Sequence, residues 1–297
     1  MTEFRVLSYN VRCANRGDHH DAWHDRRDAV GRLVRFHHPD ITAFQEPLPE
    51  QRSDIAARLP GYAFVGRGRT VEGDGEGCPI GVRTDRWAVA EHDTFWLSET
   101  PDEPSTDWDA AHPRIATWAR VVPQSDETDE RSRSEQPDIL VVNTHLDHVS
   151  ARARRESARL LRERLPELAP ATVGRSNSNA PHRTVFVGDL NCTPGSKPHQ
   201  ILLGATATGT APERQNKGEK TASDHPWTLQ DAAATADLRH GPNTSLTDFA
   251  RLIDGRRIDH ILVSPDVDVA AFATLADRDD RGRYPSDHLP VLAQLSV

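Results

Sequence analysis

Six short apolar runs are spread along the chain, and each meets a cluster of polar residues at one end. Phe4–Tyr9 stops at Asn10, and Ile41–Phe44 at Gln45-Glu46. Ile139–Val142 runs into Asn143-Thr144-His145-Leu146-Asp147-His148, and Thr184–Val187 into Gly188-Asp189-Leu190-Asn191. Ile258–Val263 carries Asp259-His260 at its start, and Pro290–Val297 follows Ser286-Asp287-His288. Short apolar runs bounded by polar breakers read as buried strands. Helical spacing appears at Asp25–His37, where Ala29, Val30, Leu33 and Val34 share a face and Pro39 closes the element. It returns at Ser150–Leu165, with Ser150 as N-cap and Ala153, Ser157, Leu160 and Leu161 inward, and in a shorter Ser196–Leu203. Many strands with few helices between them predict two packed sheets with helices outside, not a wholly alternating βαβ chain.

At 297 residues the chain can bury a sizeable core. Gln124–Pro137 and Gly204–Asp224 read as polar surface insertions, because polar motifs stand on both sides of each, so a single domain over 1–297 is expected. Cys13, Cys78 and Cys192 are odd in number and widely spaced, making neither a disulfide framework nor a zinc pattern. With no signal-like segment and no membrane-length apolar run, a monomeric cytoplasmic protein with reduced thiols and no membrane contact is expected. The net charge of −9 disfavours a protein that coats nucleic acid. Only three lysines stand against 33 arginines, a bias that fits either genome composition or a halophilic, carboxylate-rich surface.

The polar clusters suggest chemistry. On an extended chain, residues two apart project to one side, so Asp189 and Asn191 can point together into a cleft and hold a water or a phosphate oxygen beside a metal. In Ser286-Asp287-His288 the carboxylate can serve as metal ligand and the imidazole as proton carrier. Asp259 can orient an imidazole from behind. His145, Asp147 and His148 fall close together, and Glu46 suits a hard cation. Each cluster taken alone reads first as a polar turn, a cap or a surface ion pair. Jointly, an oxygen-rich set with a few imidazoles selects Mg2+ or Mn2+ over zinc or copper.

The ordered set Leu7-Ser8-Tyr9-Asn10, Gln45-Glu46, Asn143-Thr144-His145-Leu146, Gly188-Asp189-Leu190-Asn191, Arg257-Ile258-Asp259-His260 and Ser286-Asp287-His288 resembles the endonuclease/exonuclease/phosphatase superfamily, from Leu7 to Pro290. The resemblance implies a four-layered α/β sandwich, two packed mixed β-sheets flanked by helices, with the site at one edge of the sheets. It implies Asn10, Glu46 and Asp287 in the metal environment, and Asp189 and Asn191 positioning the attacking water and the phosphate. It also implies Asp259 paired with His288, and His145 on the scissile phosphate. Arg12 stands two residues after Asn10, where abasic-site endonucleases of the superfamily carry aspartate, so a one-metal site is expected.

Phe95-Trp96-Leu97-Ser98-Glu99-Thr100-Pro101, Trp108 and Pro113–Trp118 look like a prokaryotic branch nearest the carbon-catabolite-repressor-type deadenylases. Trp96, Trp108 and Trp118 either form a stacking platform for a base or sit in the core. Arg114 is a candidate phosphate clamp. The arginines of Ser150–Leu165 either guide a polyanion or form a solvated face. The expected function is metal-dependent phosphate-ester hydrolysis by in-line attack of water. A phosphodiesterase or 3′–5′ exonuclease on RNA or single-stranded nucleic acid comes first. The alternative is a phosphomonoesterase or headgroup phosphodiesterase on a small phosphorylated substrate.

Overall fold

The computed structural model describes residues 1–124, 138–168, 183–204, 227–253 and 255–297. Apart from Gln124 and Gly204, both expected surface insertions lie outside the described residues. One sheet has the spatial order β10 (Leu238–His240), β12 (Asp268–Thr274), β13 (Val291–Ser296), β1 (Glu3–Asn10), β2 (Ile41–Gln45), β4 (Ile80–Arg83) and β3 (Tyr62–Val65). The other runs β5 (Trp87–Trp96), β6 (Ile115–Pro123), β7 (Ile139–His145), β8 (Thr184–Asp189), β11 (Asp259–Val263) and β9 (Gln230–Asp231). Both are mixed: β1–β2 and β10–β12 pair parallel in one, β7–β8 in the other, among antiparallel neighbours.

Strand alternation sorts the side chains into layers. Phe4 and Val6 of β1, Ile41 and Ala43 of β2, Ile139 and Val141 of β7, and Val185 and Val187 of β8 meet between the sheets. The opposite face of the first sheet, with Leu7, Tyr9 and Phe44, packs on Val30, Leu33 and Val34 of α1 (Trp23–His37) and Ile55 of α2 (Pro49–Arg58). The opposite face of the second, with Leu140, Val142 and Phe186, packs on Leu161 and Leu165 of α3 (Ala151–Leu168) and Leu202 of α4 (Lys197–Leu203). A one-turn helix, α5 (Ala232–Thr235), follows β9. The result is the four-layered sandwich.

The expected strands and helices are present with small shifts at their ends. Ser150 caps α3, its Oγ accepting from the Ala153 N–H at 3.0 Å. Within that helix Leu160 is only partly buried, and Ala158 and Leu165 complete the inward face. α2, α5, β3 to β6, β9, β10 and β12 were not expected. β5 is exposed along its middle and carries Glu91, His92 and Asp93, so it lacks an apolar run. Among the described residues, no helix is long and apolar enough to cross a membrane.

One glycine fixes how the central strands meet. Gly188 has φ +150°, and a Cβ there would lie 2.0 Å from the Thr144 carbonyl oxygen of β7. A side chain would therefore wedge apart the strand pair that aligns His145 with Asp189. Gly188→Ala should destabilise the protein by about 3 kcal/mol, the upper range for overpacking, read from its urea midpoint. A variant as stable as the parent would show that β7 and β8 can separate freely.

Candidate active site

The inter-sheet face changes character at one end. Past Val6, β1 continues with Ser8 and Asn10; past Ala43, β2 ends in Gln45; past Val141, β7 ends in Asn143 and His145. β8 ends in Asp189, and β11 begins with Asp259. Ser8, Asn10, Gln45, Asn143 and Asp259 are fully buried, so each needs partners. Gln45 Nε2 donates to Asn143 Oδ1 (2.7 Å) and Ser8 Oγ (3.1 Å), and Asn143 Nδ2 donates to the Phe44 and Pro79 carbonyls. These amides bind the two sheets together beneath the site.

Above them the register sets three ionisable groups in a row: His145 lies opposite Asp189, and Asp189 opposite Asp259. Asn10 Nδ2 donates to Asp189 Oδ2 (3.0 Å) and to Glu46 Oε1 (2.9 Å). The Cys13 N–H donates to the other Glu46 oxygen at 2.8 Å. His288 Nδ1 donates to Asp259 Oδ2 at 2.8 Å, while its Nε2 stands 3.8 Å from Asp189 Oδ2. The Ser286 hydroxyl ties this segment to the Asn10 carbonyl at 2.7 Å.

Asn191 arrives differently from the expectation. The strand ends at Asp189, and Asn191 is in the left-handed region at φ 46°, so alternation does not align the two side chains. A tight turn does the work: the Asn191 N–H donates to Asp189 Oδ1 at 2.9 Å. Its side-chain amide then donates to His145 Nε2 (3.0 Å) and the Leu146 carbonyl (2.9 Å). His145 is thereby held as a neutral imidazole with its proton on Nδ1.

The electrostatics separate the groups. Burial pushes Asp189 up to about 7, reinforced by Asp259 and opposed by His288 and the donors on Asn191 and Asn10. Burial also raises Glu46, but the Asn10 and Cys13 donors and the charge on His288 outweigh it and hold that carboxyl below its ordinary range. Burial, with the Arg114 charge, drives His145 well below the usual imidazole range. Burial disfavours charge on His288 too, yet Asp259 and Asp189 hold its pKa well above the ordinary value. One imidazole is thus neutral and the other charged, within one cluster.

The partly exposed members are Glu46, Asn191 and Asp287, above buried Asp189. Donor atoms of Glu46, His145 and Asp189 lie within 4.8 Å of one another, as do those of Asp189, Asp259 and His288. Carboxylates dominate this set, which fits a hard divalent cation. Arg114 is 5 % exposed and lies within reach of Asp147 (3.5 Å) and His148 Nδ1 (2.9 Å). Asp147 is taken up by the N–H groups of Ala111, Val149 and Ser150 at the start of α3.

The tryptophans form no platform. Trp96 is buried against Cys78 and Ile115, with its Nε1 donating to the Arg69 carbonyl, and Trp118 packs toward the α3 layer. Trp108 donates to Glu99. Along α3, Arg152, Arg159 and Arg164 pair with Asp109, Glu156 and Asp102, as a solvated face does.

The fold and this cluster define a phosphoester hydrolase. The chain belongs to the endonuclease/exonuclease/phosphatase family, whose family model matches residues 7–288. A mannosyl-6-phosphatase of Bacteroides thetaiotaomicron shares 31% identity over 99% of this chain and 100% of its own, with a TM-score of 0.80. An endonuclease/exonuclease/phosphatase from Bacteroides vulgatus shares 32% over 100% of both chains, also at 0.80. D. rerio TDP2, solved with a single-strand DNA product, shares the fold at 18% identity and a TM-score of 0.68, covering 100% of each chain. No curated protein sequence gives a significant match.

A second polar cluster, which the sequence reading missed, lies on the other face of β11. His199 and His260 flank Asp231, all buried. His199 Nε2 donates to Asp231 Oδ2 at 3.1 Å and its Nδ1 accepts from the Gly195 N–H. His260 Nε2 donates to the Cys192 carbonyl at 2.9 Å, and its Nδ1 accepts from Arg257, which also donates to Asp231. The guanidinium supplies the positive charge, and both imidazoles are satisfied as neutral donors. The cluster braces Cys192 and Asp259, the neighbours in sequence of Asn191 and His260. Burial lowers the His260 pKa from 6.5 to about 3, so the unfolded chain binds its proton first as pH falls. Stability from this group is therefore complete above about 6.5 and lost as pH drops toward about 3. His260→Gln should reduce the slope of unfolding free energy against pH in that window by up to about 1.4 kcal/mol per pH unit. An unchanged slope would remove His260 from the acid response.

Proposed function

We propose that the protein hydrolyses small phosphorylated compounds, with a sugar phosphate monoester as the first choice of substrate, at a single Mg2+ or Mn2+ site. The convergence of Asn10, Asn191, His145 and His288 on the buried carboxylate Asp189 carries the chemistry. The substrate class is supported by the full-length likeness to a mannosyl-6-phosphatase. Glu46, Asp287 and Asn10 would hold the cation, which when bound supplies charge that stabilises the phosphoryl oxygens.

The chain's own residues do the rest. Asp189, held by Asn10 and the Asn191 N–H, orients a water and takes its proton as the oxygen attacks phosphorus and the ester P–O bond breaks. Burial raises this carboxyl above the ordinary range, which favours its taking the proton; the departing alkoxide takes a proton from solvent, and Asp189 releases its own there. His288, kept charged by Asp259, faces the negative charge that develops on the phosphoryl group. Neutral His145, its Nε2 accepting from the Asn191 amide, fixes that side chain beside Asp189.

The alternative is cleavage of RNA or single-stranded nucleic acid of the deadenylase type. The tryptophans weaken it: Trp96 is buried, Trp118 packs toward the α3 layer and Trp108 is tied to Glu99, so the three offer no shared stacking platform. One substrate panel tests both: p-nitrophenyl phosphate, a 6-phosphorylated mannose, bis-p-nitrophenyl phosphate, and single-stranded RNA and DNA, each with Mg2+ or Mn2+. The monoesters should be cleaved with the higher kcat/KM, and chelation should abolish turnover. Asp189→Asn and His288→Gln should each lower kcat by about 10²–10⁴-fold. Activity that survives chelation, or full activity in Asp189→Asn, would overturn the mechanism, and a preference for the oligonucleotides would replace the substrate class.

A further inference from the structure

Arg12 is held in an unusual way just past the end of β1. Its backbone is left-handed at φ 58°, and its N–H donates to Asn10 Oδ1 at 2.9 Å. Its carbonyl accepts from Arg26 Nη2 (2.8 Å) and Gln51 Nε2 (2.9 Å). Arg26 is itself fully buried and also donates to the carbonyls of Asp21, Val11 and Pro285. A residue so constrained on both sides has its side-chain direction set by the fold.

That direction brings the guanidinium beside partly exposed Asp287, at the edge of the cluster. The guanidinium lies 3.4 Å from Asp287 and 3.4 Å from Asp18, with its side chain 32% exposed. Each contact is long and uses one nitrogen, and Nε has no partner among the described residues. Nε is buried, but each terminal nitrogen keeps a second N–H beyond its carboxylate contact, and these two donors are what an incoming anion can meet. The two carboxylates orient the group without saturating it, and Glu46 lies close enough to sense its charge.

We propose that Arg12 binds two non-bridging oxygens of the substrate phosphoryl group and makes the site selective for phosphate monoesters. The proposal deepens the small-substrate reading above and rests on it. A monoester presents three non-bridging oxygens and up to two charges, so a cation site and a guanidinium fork can both be filled. A diester offers two such oxygens and one charge, and must leave one of them short. A fixed guanidinium beside Asp287 also supplies, from the chain itself, positive charge on the side of the cleft where the acidic residues gather.

The test combines kinetics with binding. kcat/KM is measured for p-nitrophenyl phosphate and bis-p-nitrophenyl phosphate in the wild type, Arg12→Gln and Arg12→Lys, and inorganic phosphate is titrated calorimetrically into each metal-free protein. In Arg12→Gln the monoester loss should exceed the diester loss at least tenfold, and phosphate should bind about tenfold more weakly, as for a lost charge-assisted contact. Arg12→Lys, which keeps charge and loses the fork, should regain part of the phosphate affinity but not the monoester preference. Equal losses on both esters, unchanged phosphate affinity in Arg12→Gln, or full recovery of the preference in Arg12→Lys would each overturn the proposal. A wild type that cleaves only the diester would instead retire the small-monoester reading, and the phosphate titration would still decide whether Arg12 binds the anion.

Discussion

The site depends on a register. Three adjacent strands place His145, Asp189 and Asp259 side by side, and a shift of one residue in either pairing would turn its partner toward the helices. Two buried carboxylates directly opposite one another repel, and burial adds to the cost of charging them. The fold offsets this with a charged imidazole against Asp259 and with donors from Asn10 and Asn191 on Asp189. Chemistry and stability oppose each other here, and the amide ladder of Gln45 and Asn143 below keeps the sheets aligned where they do.

The same alternation that builds the core builds the site, which explains how much could be read in advance. Runs that bury Phe4 and Val6, or Val185 and Val187, are visible as apolar strings, and their continuations into Asn10 and Asp189 mark the end where the core gives way to water. α1 was legible because Ala29, Val30, Leu33 and Val34 lie on one helical stripe. Strands such as β5 and β6 were not, because edge strand β5 has an exposed polar middle, the apolar run of β6 is broken by partly exposed residues, and their tryptophans suggested a motif instead. Where Asn191 meets Asp189, alternation gave the neighbourhood but the wrong geometry, since a left-handed turn cannot be seen in strand periodicity. The Asp231 cluster was invisible for another reason: its members are scattered over three segments and meet only in three dimensions.

The arginine excess takes on a structural meaning inside the protein. Arg26 satisfies four carbonyl oxygens around the β1 exit, Arg114 spans Asp147 and His148, and Arg257 joins Asp231 to His260. A lysine has three donors on one atom and could not reach such divergent acceptors. Part of the bias toward arginine is therefore used as internal bracing, whatever the surface owes to composition or salt.

His199, Asp231 and His260 have the ingredients of a transition-metal trap, yet a guanidinium already fills the role of the cation. The consequence is one of bookkeeping for ions. A chain with two sets of imidazoles and carboxylates ordinarily risks dividing its metal between them, or admitting a softer ion at the deeper set. Because Arg257 is covalently part of that set, it cannot be exchanged, chelated or outcompeted, and the deeper set admits an ion only if that side chain is displaced.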